Sequence, residues 1–283
     1  MKQLRLGYAL SSEEHTAPQL VRYGALAEKT GFSFAMVSDR YHPWTHAQGN
    51  SPFVWSVLGG LSQATKVMSL ATGVTCPTIR IHPTTIAQAA ATTASLLEGR
   101  FMLGLGSGEN INEHIFIVEH AQVFSLPKTL PPILVAASGA GSAALAGEYA
   151  DGLITESPDR KVIEVFNETG GRRKPKYGKL TVCYAPSEAE AVKIAHASWP
   201  NAALPQRLNQ ERRMPEDFED AAATVRPEDV AAAVVCGPSA KKHLAAINEY
   251  ASAGFDNVYI HQVGPHQEDF FAFYEKQILP EFK

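Results

Sequence analysis

The 283-residue sequence predicts an α/β fold, a (β/α)8 barrel. Three observations predict it. Short apolar runs alternate with helical patterns at spacings that suit βαβ units. Eight of these runs read as parallel strands. Polar or glycine-bearing turns follow them at Glu13, Asp39, Gly73, Glu109 and Ser138, each just past a strand, where a parallel barrel gathers its active groups. A doubly wound open sheet would alternate almost as well. The number of strands and the placement of those residues favour the barrel.

Leu4 to Ala9 reads as the first strand, with Glu13 beyond it in a loop closed by Pro18. Residues 18–30 carry Leu20, Val21, Leu26 and Ala27 at helical spacing. Phe32 to Val37, bounded by Gly31, is the second strand, and the polar stretch Ser38 to Trp44 begins where it ends. Pro52 opens a helix to about residue 64. Val67 to Val74 is the third strand, ending in Thr72-Gly73-Val74-Thr75-Cys76-Pro77. Residues 83–97 are alanine-rich and helical, with Pro83 near the first turn. Arg100 to Leu105 is the fourth strand, ending in Gly106-Ser107-Gly108-Glu109-Asn110.

The rhythm then breaks. Between His114 and Pro131 lie two strand-like pieces, Ile115 to Val118 and Ala121 to Leu126, and no amphipathic helix. A barrel lacking one helix after its fourth strand is expected. The rhythm resumes with Ile133 to Ala137, then Ser138-Gly139-Ala140-Gly141, a helix of small residues and the strand Gly152 to Thr155. A helix covers 159–168, Lys174 to Gly178 reads as a turn, Leu180 to Ala185 as a strand and 187–198 as a helix. Residues 200–225 are polar and Pro-broken, as in a lid or insert. Residues 226–235 and 239–253 are helical, Val258 to His261 is the last strand, and 267–278 the closing helix. No repeat or low-complexity linker divides the chain, so a single domain over residues 1–283 is expected.

Apolar residues make up 45% of the chain, ample for a large core. A net charge of −4 gives no electrostatic reason to expect nucleic acid or an anionic membrane as partner. The three cysteines, Cys76, Cys183 and Cys236, are scattered and odd in number. They suggest a reducing compartment and argue against a disulfide framework. No His/Cys/carboxylate cluster shows metal spacing, so no metal is expected. No signal peptide and no bilayer-length apolar run is seen, and a cytoplasmic location is the expectation.

Gly104-Leu105-Gly106-Ser107-Gly108-Glu109 is not a dinucleotide fingerprint. Its spacing differs from G-x-G-x-x-G, and no acidic residue follows at the proper distance. It reads better as backbone that turns sharply and approaches a ligand closely. Ser138-Gly139-Ala140-Gly141 opens a helix, where unpaired N–H groups hold phosphate or a serine simply caps the helix. There is no G-x-S-x-G nucleophile elbow. After the second strand, Asp39 accepts hydrogen bonds, Arg40 only donates, His42 does either, and Trp44 offers a flat face. A charged turn after a strand is ordinarily a solvated loop. What gives this one weight is the company it keeps.

Together, Ser38-Asp39, Pro43-Trp44, Asn50-Ser51-Pro52-Phe53, Thr72-Gly73-Val74, Gly106 to His114 and Ala136-Ala137-Ser138-Gly139 resemble the luciferase-like oxidoreductases. The resemblance runs almost end to end, and is strongest to the branch of dehydrogenases that use the deazaflavin coenzyme F420. It implies a (β/α)8 barrel, usually a homodimer, with the deazaflavin at the carboxyl-terminal mouth and a small-molecule substrate. Residue by residue, it implies that Asp39 touches the deazaflavin ring and that Gly73-Val74 form a non-proline cis peptide behind it. Ser107, Gly108, Glu109 and Asn112 would line the cofactor. Ala136, Ala137, Ser138 and Gly139 would hold its phosphate. Glu13, Trp44 and Glu109 would face the substrate, with Glu109 serving the protonation of the ring. The chemistry implied is hydride transfer between an alcohol or carbonyl carbon and the cofactor.

Three departures qualify the resemblance. The family's general base is a histidine directly after the aspartate, and this chain has Arg40, which cannot take a proton. Arg40 then either pairs with Glu13, Asp39 or Glu109, or it anchors an anion or polarises a carbonyl. His42 is a distant substitute for the lost base. The positions that best match the family's phosphate-binding lysines hold Asp159 and, on a looser alignment, Asp220, which argues against glucose 6-phosphate. Some forty residues that relatives carry between His114 and Ile115 are missing, which would bare the apolar outer faces of neighbouring strands. The expected function is an F420-dependent oxidoreductase. The rivals are an FMN-dependent monooxygenase on the same barrel and a deazaflavin-binding protein with little catalysis.

Overall fold

The computed structural model describes residues 4–77, 81–107, 129–204 and 215–282. The first half runs β1 (Arg5–Leu10), α1 (Ala17–Thr30), β2 (Phe34–Val37), α2 (Val54–Ala64), β3 (Ser69–Thr72), α3 (Pro83–Leu97) and β4 (Phe101–Leu105). The second half runs β5 (Ile133–Ala136), α4 (Ala140–Tyr149), β6 (Gly152–Thr155), α5 (Arg160–Phe166), β7 (Lys176–Cys183), α6 (Glu188–Ser198) and α7 (Pro215–Ala222). It closes with α8 (Pro227–Ala233), β8 (Val235–Cys236), α9 (Ala240–Ala253), β9 (Asn257–Gln262) and α10 (Gln267–Gln277). Neighbouring strands are parallel in the order β1 to β7, and β9 joins β7 back to β1. This is the closed eight-stranded parallel barrel that the alternation predicts. The short β8 stands outside the ring, paired with the end of β7 through Val182–Val235 and Cys183–Cys236.

Local chemistry marks the element ends. Gln19 reaches back to accept the Thr16 N–H at 2.9 Å before α1, and Pro18 sits in its first turn. Gly31, at φ 109°, ends the same helix in the left-handed conformation that favours glycine. Glu28 of α1 clamps the approach to β3 by accepting the N–H groups of Val67 and Met68 at 2.9 and 2.7 Å.

Alternation along the strands separates two apolar layers. Leu6, Leu10, Ala35, Leu70, Phe101, Leu153, Val182 and Ile260 face the helices in the main core. Phe34, Met36, Ala71, Met102, Leu134, Ile154, Tyr177 and Tyr259 fill the barrel interior. Phe34 meets Tyr177 edge to face, with centroids 5.3 Å apart, and the Tyr177 hydroxyl donates to the Met102 sulfur at 3.3 Å. The barrel floor is therefore plugged, and only its mouth can take a ligand.

Three boundaries differ from expectation. β7 begins at Lys176, inside the stretch Lys174 to Gly178 that reads as a turn. Gly178 lies within the strand and serves close packing rather than a turn, since a β-carbon there would stand 2.3 Å from the Tyr250 ring. The helix expected over 226–235 stops at Ala233, and Val235–Cys236 is strand. The expected lid region yields a 3-10 turn, Pro200–Ala203, and α7, while its residues 205–214 lie outside the described residues. So do the strand-like pieces Ile115 to Val118 and Ala121 to Leu126. Among the described residues no helix stands between β4 and β5, and Ile133 of β5 is 40% exposed. No described helix is long and apolar enough to cross a membrane.

Candidate active site

Each inward-facing row of the barrel continues upward to the carboxyl-terminal mouth. On the same faces as Tyr177, Tyr259, Ile154 and Met36 come Lys179, His261, Glu156 and Ser38. The loops after β1 and β2 add Glu13, Glu14, Asp39 and Arg40. The mouth therefore has two unlike arcs. Strands β6, β7, β9, β1 and β2 present charged side chains. Strands β3, β4 and β5 present Gly73-Val74, Gly106-Ser107 and Ala136 to Gly139, residues with small side chains or none.

On the charged arc, Arg40 Nε lies 2.7 Å from Glu13 Oε1. Glu13 is buried, and its other oxygen accepts from the hydroxyls of Ser38 at 2.6 Å and Ser11 at 3.0 Å. Burial alone would raise the Glu13 carboxyl; the Arg40 guanidinium and the Ser38 hydroxyl outweigh it and hold the group below the usual carboxylate range. The guanidinium carbon stacks 3.7 Å from the centre of the Trp44 ring. Trp44 is itself packed edge-on against Phe218 of α7, 4.9 Å between centroids, so the lid region fixes the arginine's platform.

Lys179 Nζ lies 3.1 Å from Glu156 Oε1, and its ammonium holds the Glu156 carboxyl below the usual range. His261 Nε2 lies 2.9 Å from Glu14 Oε2, while the Gly264 N–H donates to the other Glu14 oxygen at 3.0 Å. His261 is buried under the edge of Trp199, 4.5 Å between centroids, and its Nδ1 has no hydrogen-bond partner among the described residues. Arg40, Lys179 and His261 thus each face a carboxylate.

The other arc is built from main chain. The Gly73–Val74 peptide is cis. Thr75 Oγ1 donates to Asp39 Oδ2 at 2.8 Å, and the Gly106 N–H donates to the Thr75 carbonyl at 3.0 Å. The Ala137 N–H donates to the Ile154 carbonyl at 2.9 Å, leading the chain into exposed Ser138 and into Gly139, the N-cap of α4. Among the described residues, a β-carbon at Gly139 or at Gly141 would meet nothing within 4 Å. The amino end of this ten-residue helix therefore opens on free space, a cradle suited to an anionic group.

Glu13, Asp39, Arg40, Trp44, Gly73, Val74, Ser107, Ala136, Ala137, Ser138 and Gly139 all stand at the mouth end of the strands. Gly108, Glu109 and Asn112 lie outside the described residues. Asp159 caps α5, accepting the Lys161 N–H at 2.8 Å, and Asp220 is exposed on α7. His42 is exposed beside Tyr41. Sequence reasoning missed Glu14, Glu156, Lys179, Trp199 and His261. The rule that found Glu13 and Asp39, a polar residue at a strand's end, also fits Glu156 and His261.

A family model described as luciferase-like monooxygenase matches residues 3–121 and 112–257. The F420-dependent hydroxymycolic acid dehydrogenase of Mycobacterium tuberculosis is 30% identical over 98% of this chain and 88% of its own length. The F420-dependent glucose-6-phosphate dehydrogenase of Beutenbergia cavernae is 29% identical over 331 aligned positions, 99% of this chain and 98% of that protein. That alignment is longer than the 283-residue chain, and the two matched pieces of the family model meet at residues 112–121. Among solved structures, an F420-dependent secondary alcohol dehydrogenase, in complex with an F420-acetone adduct, superposes with a TM-score of 0.89. It is 22% identical, with both chains fully covered. The F420-dependent tetrahydromethanopterin reductase of Methanopyrus kandleri gives 0.76 at 19% identity, covering 99% of this chain and all of that one.

Proposed function

The chain belongs to the luciferase-like monooxygenase family, and from that membership we propose that it is a coenzyme F420-dependent oxidoreductase acting on an alcohol or carbonyl compound. The two curated relatives described above, matched over 99% and 98% of the chain, carry F420-dependent dehydrogenase names. The observation that carries the reading here is the open cradle at Ser138-Gly139, set on the small-residue arc of the mouth. The residues present fit the cofactor. Asp39, Gly73, Val74 and Ser107 would border its ring, together with Gly108, Glu109 and Asn112, and Ala136 to Gly139 would take its phosphate. When bound, the deazaflavin supplies or accepts the hydride, two electrons and a proton, at the substrate carbon.

The chain's own residues favour a substrate that is not a sugar phosphate and a reaction run as reduction. Arg40, Lys179 and His261 already face carboxylates, so this arc offers a phosphate dianion little net attraction. Arg40 stays protonated and cannot take the proton of an alcohol. It can polarise a carbonyl oxygen, whose carbon would receive hydride from the reduced cofactor while the oxygen takes a proton from water. Trp44 holds the guanidinium in place.

Equilibrium titration with F420 and with FMN tests the reading. Tight F420 binding with weak FMN binding is expected. FMN binding as tight as F420 would instead place the protein among flavin monooxygenases.

A further inference from the structure

Lys179 is the fourth residue of β7 and shares the inward face of Tyr177, so its side chain rises from the apolar floor into the mouth. Its side chain is only 22% exposed. An ammonium in such a place costs desolvation and does nothing for packing. Glu156, across the β6–β7 pairing, compensates the charge through one oxygen, at 3.1 Å. An ammonium has three N–H donors, and Glu156 is the one hydrogen-bond acceptor of the Lys179 side chain among the described residues. The Trp199 ring lies 5.9 Å from Nζ, a flat apolar wall beside the donor. The Lys179–Glu156 pair, at the ends of β7 and β6, and the Arg40–Glu13 pair, on the loops after β2 and β1, both stand at the carboxyl-terminal mouth.

We propose that Lys179 determines substrate class, by donating a hydrogen bond to a second, uncharged oxygen of the substrate while the reacting carbonyl lies at Arg40. The preferred substrates are then hydroxyketones, and the corresponding diols in the reverse direction, rather than plain ketones or keto acids. This rests on the oxidoreductase reading and deepens it. The second oxygen is uncharged because Arg40, Lys179 and His261 each already face a carboxylate, so the arc offers a substrate carboxylate little net attraction in return for its desolvation. A hydroxyl accepts from Lys179 without displacing Glu156. A plain ketone leaves the desolvated donor unmatched, and sites built to bond a hydroxyl discriminate strongly on that ground.

The test compares 2-pentanone, 5-hydroxy-2-pentanone, 4-hydroxy-2-butanone and the keto acid 4-oxopentanoate, with reduced F420 as hydride source. Wild type is expected to favour the better hydroxyketone over the plain ketone by tenfold or more in kcat/KM. In Lys179→Met that ratio collapses toward one, with the loss in KM, and Lys179→Arg keeps part of it. Glu156 is open to solvent, 66% exposed at the side chain, so removing the lysine leaves a hydrated carboxylate and the thermal midpoint checks the fold. Ligand-observed NMR on the cofactor-free protein gives a second readout. The hydroxyketone signal should exceed that of 2-pentanone in wild type and not in Lys179→Met, whether or not F420 binds. Equal use of hydroxylated and plain ketones, preference for 4-oxopentanoate, or a ratio kept in Lys179→Met overturns the proposal. Failure of F420 to bind in the titration overturns the oxidoreductase reading instead.

Discussion

Arg40 and Glu13 form a largely buried ion pair, Nε to Oε1 2.7 Å, with side chains 19% and 4% exposed. Arg40 stands directly after Asp39, where the resemblance implies a histidine base. A guanidinium locked between a carboxylate and an indole is a fixed positive charge, not a proton acceptor.

Wild type should therefore oxidise simple secondary alcohols slowly with F420. Arg40→His should speed that oxidation by tenfold or more and leave cofactor affinity within about threefold, given that general-base catalysis is typically worth about 10²–10⁴-fold. Stopped-flow loss of the oxidised cofactor's absorbance measures it. Fast oxidation by wild type that disappears in Arg40→His would place the arginine inside the mechanism.

Glu13→Gln should lower stability by about 1–3 kcal/mol at pH 7, because it strips a mostly buried guanidinium of its partner. The folded-state carboxyl titrates below its ordinary value of 4.5. Its contribution is thus complete above that value and is lost as pH falls through the folded one. Urea unfolding of both proteins at pH 7 and pH 3.5 should show the gap narrowing in acid.

Gly139→Val should weaken F420 by at least about tenfold and leave the thermal midpoint nearly unchanged. Gly139 has an extended backbone, φ −164°, that valine adopts readily, and the added atoms meet no described atom within 4 Å of the β-carbon but project into the space proposed for the phosphate. A tail-truncated F420 should bind wild type less well than the intact coenzyme. If Gly139→Val binds intact F420 as wild type does, the phosphate lies elsewhere.

Glu109→Gln keeps the side chain's shape and loses its carboxylate. Turnover should fall by about 10²–10⁴-fold if this residue handles the proton of the cofactor ring. A change within about twofold, under 0.5 kcal/mol, would remove it from the chemistry.

His243 is fully buried, bonded at Nδ1 to the Tyr274 hydroxyl at 2.9 Å and at Nε2 to the Gly237 carbonyl at 3.0 Å. Burial pushes its pKa below the ordinary 6.5. The unfolded chain then binds the proton more readily, so stability is full above 6.5 and declines as pH falls below it. Buried His15, lowered mainly by burial as well, adds to the same slope. Unfolding free energy should drop between pH 7.5 and 5.5, and His243→Gln should flatten that slope.

The barrel was legible because its strands are short apolar runs closed by Gly, Pro and polar residues, and its helices carry 3.6-residue periodicity. Val235–Cys236 was not, since two residues are too few to show alternation. The loop residues Glu13, Asp39 and Arg40 could be found by standing just past strands. Lys179 could not. Strands in a parallel barrel are apolar on both faces, so the sequence does not reveal which row points inward. Only the register with β6 and β9 puts Lys179 beside Glu156 and one level below His261.

The two arcs of the mouth differ in how inheritance can act on them. Glycine turns and helix-end N–H groups are properties of the main chain, and most single amino-acid changes on neighbouring strands leave them intact. Glu13, Arg40, Glu156, Lys179 and Trp199 are side chains, each open to replacement by one mutation. A lineage can thus keep its redox partner while trading one substrate for another, and a designer can randomise these five positions without first having to protect the cofactor.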